Sequence, residues 1–414
     1  MYSNLVKGMV VVLSILVAAV PGLVGCGSSQ SEKDSVTVGI LTDFTGPGAS
    51  ATKMVVYGLT DTFKTANEAG AVPGVDIKWV TYDQRSDPAR VPGGYTWLKG
   101  QGVDMIHAMS PTDRRILADK VESDEMLMFG MALDEESPDH PWIICNYGSM
   151  GHEAEAVMQF IMDTWDYDGE GRSPRVGHVD WTLPSAEMKQ VGIDRMLEWY
   201  PDKFDWAGLQ TAPAGTTAWA AEVERLKDCD HIYVALIGSM AASFVREARA
   251  RGYTGDFTTD NNTFGGYWDL VKSVVPADQL YGCSYVSWCP WFTDDVPFID
   301  TVEETIQKYR AADASTVMAN TGYIYGVANA ICIVDAIKRA VDEVGPDNVD
   351  STALRNAALA LDMDMTTLGF GGRWCATEQY HCLACTLKGF CWNVEAHQWE
   401  DAGVGWIAPP SLAS

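Results

Sequence analysis

Short apolar runs rich in β-branched residues recur along this chain, and between them apolar positions repeat at helical spacing. Residues 36–41 (Val-Thr-Val-Gly-Ile-Leu) read as a strand ending in a Thr/Asp/Gly/Pro loop over 42–48. Met54, Val55, Leu59, Phe63 and Ala66 then mark one face of a helix over 52–69, which stops at Gly70. Strands at 77–82, 103–107 and 126–129 follow, with a turn at 83–88 and helices at 91–99 and 113–122. The alternation then begins again. Helices are predicted at 152–165, 185–200, 218–226 and 241–251, and strands at 175–179, 231–237, 256–259 and 280–287. Further helices at 302–311, 323–344 and 352–361 precede a C-terminal segment with the weakest pattern of the body. Strands separated by helices of this length pair in parallel and are covered on both faces. The prediction is an α/β protein of two doubly wound parallel-sheet lobes.

The N-terminus carries a different pattern. Lys7 precedes an apolar run from Met9 to Val20 broken only by Ser14, and Pro21-Gly22 ends it ahead of Leu23-Val24-Gly25-Cys26. This run is short for a membrane span and has the layout of a secretory signal. The cysteine after Leu-Val-Gly resembles the lipobox of bacterial lipoproteins. That resemblance implies a lipoprotein signal peptide over 1–25, lipid attachment at Cys26 and a tether over 26–35. An ordinary cleaved signal with a coincidental cysteine is the plainer alternative. Residues 27–34 have nothing apolar to bury, as a tether requires. The body is therefore expected outside the cytoplasm, in the periplasm or on the outer face of the cell membrane.

Once a leader is removed, about 390 residues remain, too many for one ordinary core and suited to two lobes. Lys and Arg number 29 against 56 Asp and Glu, a net charge of −27. Such a surface repels phosphate backbones and anionic headgroups alike. Nucleic acid is thereby excluded as a partner, and contact with the membrane is expected through the lipid anchor only.

Two stretches then point to one family. Val38-Gly39-Ile40-Leu41-Thr42-Asp43-Phe44-Thr45-Gly46-Pro47 resembles the first strand and loop of the leucine/isoleucine/valine-binding family, the type I periplasmic solute receptors of ATP-driven importers. Tyr82-Asp83-Gln84-Arg85-Ser86-Asp87-Pro88-Ala89 resembles that family's second strand and its Asp-x-x-x-Asp-Pro turn. The resemblance extends over nearly the whole mature chain and fades towards its end. It implies a receptor whose lobes hinge shut over a small-molecule ligand, with the permease and ATPase subunits of an ABC transporter as partners and no cofactor or reaction. Lobe 1 is expected over 36–148 and 293–380, and lobe 2 over 149–292 and 381–414.

The resemblance also places ligand-binding loops. Asp43 and Phe44 lie on the first, and Ser110, Pro111 and Thr112 on the third, where a hydroxyl and helix-start amides bind a carboxylate. Ala132, Leu133 and Asp134 fall where amino-acid receptors read Ser-Pro-Ala-Ala-Thr, with Asp134 replacing the threonine that helps bind a carboxylate. In the second lobe Pro184-Ser185 replaces a usual Tyr-Gly pair, leaving Trp181 as an aromatic wall, and Ser239 lies on the next loop, again without its tyrosine. Asp260, or Asn261 beside it, matches the acid that pairs with a ligand ammonium. The plainer roles are helix caps for Ser110 and Thr112, lobe packing for Trp181 and a turn for Asp260. Together these departures point away from branched-chain amino acids, towards other amino-acid-like or amide-like, urea-like, polyamine or aromatic ligands. Arg114 and Arg115 are further candidates to receive a carboxylate, with surface placement as their default.

Nine cysteines follow Cys26. Cys375, Cys382, Cys385 and Cys391 cluster, as do Cys283 and Cys289, and outside the cytoplasm these clusters read as disulfides. Alternatives are a metal site at His381-Cys382-x-x-Cys385, which lacks a second close ligand pair, and free thiols in an anaerobe. Cys145, Cys229 and Cys332 lie in apolar contexts and read as core residues. Enzyme signatures are absent: Gly148-Ser149-Met150-Gly151 falls one residue short of Gly-x-Ser-x-Gly, and His152-Glu153 does not continue to His-Glu-x-x-His. A sensing module of the same fold and a secreted hydrolase remain as alternatives to the transport receptor.

Overall fold

The computed structural model describes residues 35–133, 140–182, 184–376 and 381–412. Cys26, its leader and most of the tether, and Asp134, lie outside the described residues. Strand β1 (Ser35–Thr42) buries Val36, Val38, Ile40 and Leu41, apolar on both faces, so the sheet it belongs to must be covered on both sides. That sheet holds β1, β2 (Asp76–Asp83), β3 (Met105–Ala108), β4 (Met128–Leu133) and β5 (Ile143–Ser149) in the order β2-β1-β3-β4-β5, every pair parallel. Helices α1 (Ala49–Glu68), α2 (Val91–Gly100) and α3 (Pro111–Ser123) supply crossovers. Strand β5 was not expected, because Asn146 and Gly148 interrupt its apolar run. Its side chains are nevertheless all buried, since residues 382–384 add to its outer edge through Leu383 N to Cys145 O and Ala384 N to Asn146 O.

The chain leaves this sheet through α4 (Met150–Thr164) and builds a second one. Strands β6 (Arg175–Trp181), β7 (Asp205–Ala212), β8 (His231–Ala235), β9 (Asp256–Thr259) and β10 (Cys283–Ser287) run parallel in the order β10-β9-β8-β6-β7. Helices α5 (Pro184–Trp199), α6 (Gly238–Ala250) and α7 (Gly266–Val274) connect them. β7 is a second unexpected strand. It is a half-exposed edge, its residues mixed in polarity and broken at Gly208, whose φ is 98°.

After β10 the chain returns. Helices α8 (Pro297–Tyr309) and α9 (Gly322–Val344) pack on α1 beside the first sheet. A small antiparallel pair, β11 (Asp362–Asp364) and β12 (Arg373–Cys375), comes next. The last segment is the main difference from the all-parallel expectation. β13 (Leu387–Asn393) and β14 (Gln398–Ile407) form an antiparallel hairpin that extends the second sheet beyond β10. The weak pattern of this segment comes from its tryptophans. Trp392 and Trp399 are buried against Trp268, with ring centroids 4.8 and 4.5 Å away, although neither sits in a long aliphatic run.

Among the described residues the two sheets are thus joined by three crossings, at Ser149–Met150, between β10 and α8, and between Ala384 and Leu387. Aromatic side chains pack where they meet. Tyr147 lies 5.9 Å from Trp288 and 4.9 Å from Tyr325, centroid to centroid, and the Tyr325 hydroxyl accepts from Trp288 N at 2.9 Å.

Each lobe also contains a helix pair in backbone contact. A Cβ on Gly326 of α9 would lie 2.2 Å from Val55 O of α1, and one on Gly192 of α5 only 2.0 Å from Gly151 O of α4. Glycine is the residue that lets these helices approach so closely.

Candidate functional site

Ligands of open parallel sheets sit beyond the carboxyl ends of the strands. In the first lobe those ends lead into loops 43–48, 84–88 and 109–110, and in the second into loops that begin at Thr182, Leu236 and Asp260. The two sets meet. A Cβ on Gly238, the first residue of α6, would be 3.8 Å from Pro47 O, and one on Gly48 would be 3.7 Å from the Tyr267 hydroxyl.

The first-lobe loop is ordered by its own acids. Asp43, fully buried, accepts from Gly46 N, from Gly48 N at 2.9 Å and from the Ser86 hydroxyl at 2.6 Å. Asp83 accepts from Phe44 N and the Thr45 hydroxyl, and Phe44 leans half-buried on the core. Arg85 and Ser86 take left-handed φ values of 62° and 52°, and a Cβ at Gly46 would fall 2.3 Å from Arg85 O, so this turn admits only glycine there. Asp43 is therefore a loop organiser whose oxygens are already engaged.

Ser110 caps α3, accepting from Thr112 N at 3.1 Å, with Pro111 at the first helical position. Both Ser110 and Thr112 are half-buried at the amino end of the helix. Below them Asp113 is buried beside Gln84, and burial, with the nearby Asp43 charge, pushes its carboxyl up to about 7. Arg114 is buried and Arg115 exposed. Ala132 and Leu133 lie at the end of β4, in register with Tyr147 and Ser149.

In the second lobe Trp181 is half-buried against the core at the end of β6, and Ser239 is exposed in the first turn of α6. Asp260 follows β9. Its Oδ1 accepts from Asn262 N at 2.9 Å, while Oδ2 accepts from the Tyr233 hydroxyl at 2.9 Å and lies 3.1 Å from Lys189 Nζ. Asn261 is buried beside it, and its Oδ1 has no hydrogen-bond partner among the described residues.

Lys189, Asp180 and Glu153, which gather around the expected Asp260, are functional candidates that sequence reasoning missed. Lys189 sits on α5 and is 3% exposed, with Asp260 on one side and Asp180 Oδ2 at 3.5 Å on the other. The close approach of α5 to α4 at Gly192 and Gly151 brings this side chain inward. Glu153, in the first turn of α4, completes the cluster; its Oε1 accepts from Trp288 Nε1 at 2.8 Å and its Oε2 from Asn262 Nδ2 at 3.0 Å. His178 stacks on Tyr233 with centroids 4.5 Å apart and sets Nε2 3.6 Å from Asp180.

Burial governs the charges here. It pulls His178 far below the usual imidazole range, so that ring is neutral. It would pull Lys189 down too, but Asp180 and Asp260 outweigh it and hold the ammonium well above its ordinary value. It pushes Asp180 up to about 6 against the pull of Lys189, and pushes Glu153, with the Asp260 charge adding, up to about 8. No motif announces this cluster, because its members come from four separate elements and Lys189 lies in an ordinary amphipathic stretch.

A pH profile tests this cluster. A carboxyl whose pKa rises on folding favours the folded state while protonated; that advantage is present below its ordinary 4.5 and lost as pH climbs through about 8. Glu153→Gln removes the titration. The stability of the natural protein relative to this variant is therefore expected to fall between pH 4.5 and 8, measured by urea unfolding across that range. A constant difference between the two would contradict the assignment.

The nine cysteines among the described residues carry no disulfide. Cys283 lies at the amino end of β10 near Asp256, whereas Cys289, past its carboxyl end, sets its sulfur 3.5 Å from the Tyr147 hydroxyl, so these two thiols face different surroundings. Cys382 and Cys385 touch thiol to thiol with Cys375 nearby, and Cys391 faces outward on β13. No group of three or more His, Cys, Asp or Glu side chains among the described residues is arranged to hold a metal ion.

The family of periplasmic binding proteins matches this chain over residues 35–386. The chain belongs to the periplasmic binding protein family. An extracytoplasmic location follows from that membership, and the matched region stops just before the β13–β14 hairpin. No curated protein matches the chain. Among solved structures it is similar to a branched-chain amino acid ABC transporter protein from Thermus thermophilus with bound valine, at 16% identity and a TM-score of 0.78, over 91% of this chain and 97% of that one. A fatty acid ABC transporter substrate-binding protein from Thermomonospora curvata gives 19% identity and a TM-score of 0.72, over 91% of each chain. A solute-binding protein from R. palustris in complex with benzoate gives 13% identity and a TM-score of 0.72, over 91% of this chain and 97% of that one. At these identities the likeness is one of fold: two parallel-sheet lobes of the type I periplasmic binding proteins.

Proposed function

We propose that this chain is the extracytoplasmic solute receptor of an ABC importer. It binds a small organic solute, of the size of an amino acid or amide, between its lobes and delivers it to a membrane permease driven by ATPase subunits. The observation that carries this reading is the meeting of the two sets of strand-end loops, Pro47 and Gly48 against Gly238 and Tyr267, across a junction of only three chain crossings. Such a junction lets the lobes swing as bodies, and the closed form differs in shape from the open one, which is what a transporter can recognise. Lobe 1 would comprise 36–148 and 293–384 and lobe 2 149–292 and the rest of the body after 384; the pairing of 382–384 to β5 supports moving the last junction from 380 to Ala384.

Within the cleft, Ser110 and Thr112 at the start of α3, Trp181, Ser239 in the first turn of α6 and Asn261 are the groups in position to touch the solute. Lipidation of Cys26 would keep the receptor beside its permease. Relatives of this fold hold ligands as different as valine and benzoate, which fits a scaffold whose loops set the choice.

The test is native mass spectrometry of the mature protein, followed by release of any retained solute and a thermal-shift panel of amino acids, amides, polyamines and aromatic acids. Ligand at a hundredfold over its Kd is expected to stabilise by about 2.7 kcal/mol. Conversion of the retained solute by the protein, or no shift with any class, defeats this reading.

A further inference from the structure

We propose that the cleft takes a solute without an ammonium group of its own, because the cation that neutralises the acidic floor of the second lobe is the chain's own Lys189. This rests on the receptor reading above and narrows its ligand class. The floor consists of Asp180 and Asp260 at the carboxyl ends of β6 and β9, and Glu153 in the first turn of α4, each less than 3% exposed. Buried carboxylates of this kind are what an incoming ammonium would pair with, since an unpaired buried charge is costly and a matching cation relieves it.

Here every carboxylate oxygen already faces a group of the chain. Asp260 Oδ1 has Asn262 N, and its Oδ2 has the Tyr233 hydroxyl and Lys189. Asp180 Oδ1 has Trp181 N at 2.7 Å, and its Oδ2 has Lys189 at 3.5 Å and His178 at 3.6 Å. Glu153 has Trp288 Nε1 and Asn262 Nδ2. One internal ammonium lies between two of the acids, and Glu153, whose carboxyl burial pushes upward, has an N–H donor on each oxygen. A second ammonium would have to displace Lys189 into the surrounding core or share its acceptors at like-charge distance. Amine-free solutes meet no such barrier.

Two arms test this. In the first, the mature natural protein is titrated with matched pairs: leucine and 4-methylpentanoate, phenylalanine and 3-phenylpropanoate. The amine-free member is expected to bind at least about tenfold more tightly in any pair that binds, a difference of about 1.4 kcal/mol. Tighter binding of the amine-bearing member overturns the proposal while leaving the receptor reading intact; no binding by either member of any pair, or by the wider panel, defeats the receptor reading instead. In the second, Lys189→Ala is melted in ethylammonium chloride and in sodium chloride of equal ionic strength. Ethylammonium is expected to raise the Tm of Lys189→Ala, and to leave unchanged both the natural protein and the Lys189→Ala/Asp180→Asn/Asp260→Asn triple variant, which carries neither of the carboxylates that Lys189 pairs with. A rise in the natural protein, or none in Lys189→Ala, overturns the proposal whether or not a solute has been found.

Discussion

Lys189→Met is expected to destabilise the protein by about 3–5 kcal/mol near neutral pH, the loss found when one member of a buried ion pair is removed. Methionine nearly matches the volume of the lysine stem, so packing changes little and the effect is electrostatic. The reason is geometric: Asp260 and Asp180 are buried, and Lys189 is the cation that lies 3.1 and 3.5 Å from them. Without it both acids lie buried with no counter-charge, so the loss should shrink on the acid side, where Asp180, at about 6, is already protonated. Adding Asp260→Asn should restore part of the stability, since the two positions share one interaction and their effects do not add. Chemical denaturation of the single and double variants at two pH values measures all of this. A loss under about 1 kcal/mol, typical of exposed pairs, would show that the cluster is open to solvent.

Gly192→Ala is the second large effect, expected at about 1–3 kcal/mol or more. The added Cβ would sit 2.0 Å from Gly151 O, 2.7 Å from its carbonyl carbon and 2.9 Å from its Cα, all backbone atoms of α4 with no side chain to swing aside. Relief requires α5 to move off α4, and α5 carries Lys189. The variant should therefore also weaken ligand binding, although residue 192 is not among the loops that touch the cleft. Gly93→Ala in α2 is the control. Nothing lies within 4 Å of its added Cβ, so the change is expected to be neutral or stabilising by about 0.5–1 kcal/mol. Thermal melts of both variants check the contrast, and equal losses would remove the close-contact argument.

The strands and helices that sequence patterns reveal are those whose burial follows from local composition. β1, with Val36, Val38, Ile40 and Leu41, is legible because each residue is apolar in its own right. β5 is as deeply buried but carries Asn146 and Gly148, and it becomes a strand because residues 382–384, more than two hundred positions later, pair with its edge. The C-terminal hairpin shows the same dependence. Trp392 and Trp399 find their place against Trp268, a partner no local window contains.

The candidate site divides along similar lines. Loop positions such as Ser110 and Asp260 could be placed because strand-to-helix loops follow from the alternation itself. What they do there could not. Asp43 spends its oxygens on Gly46, Gly48 and Ser86, and Asp260 meets a cation from its own chain, facts that depend on which loops and helices come together.

By itself, then, the amino-acid order determined the alternation of strands and helices, the two-lobed α/β architecture and the acidity of the body. Those properties arise from periodicity and composition, which act over a few residues or over the whole chain. Tertiary structure alone decided that Glu153, Asp180, Lys189 and Asp260 share one buried cluster. Four elements had to converge, and two glycines had to bring α4 and α5 into backbone contact, before Lys189 could lie between Asp180 and Asp260. Electrostatic pairing at 3 to 4 Å is a property of distance in space, and distance along the chain carries no record of it.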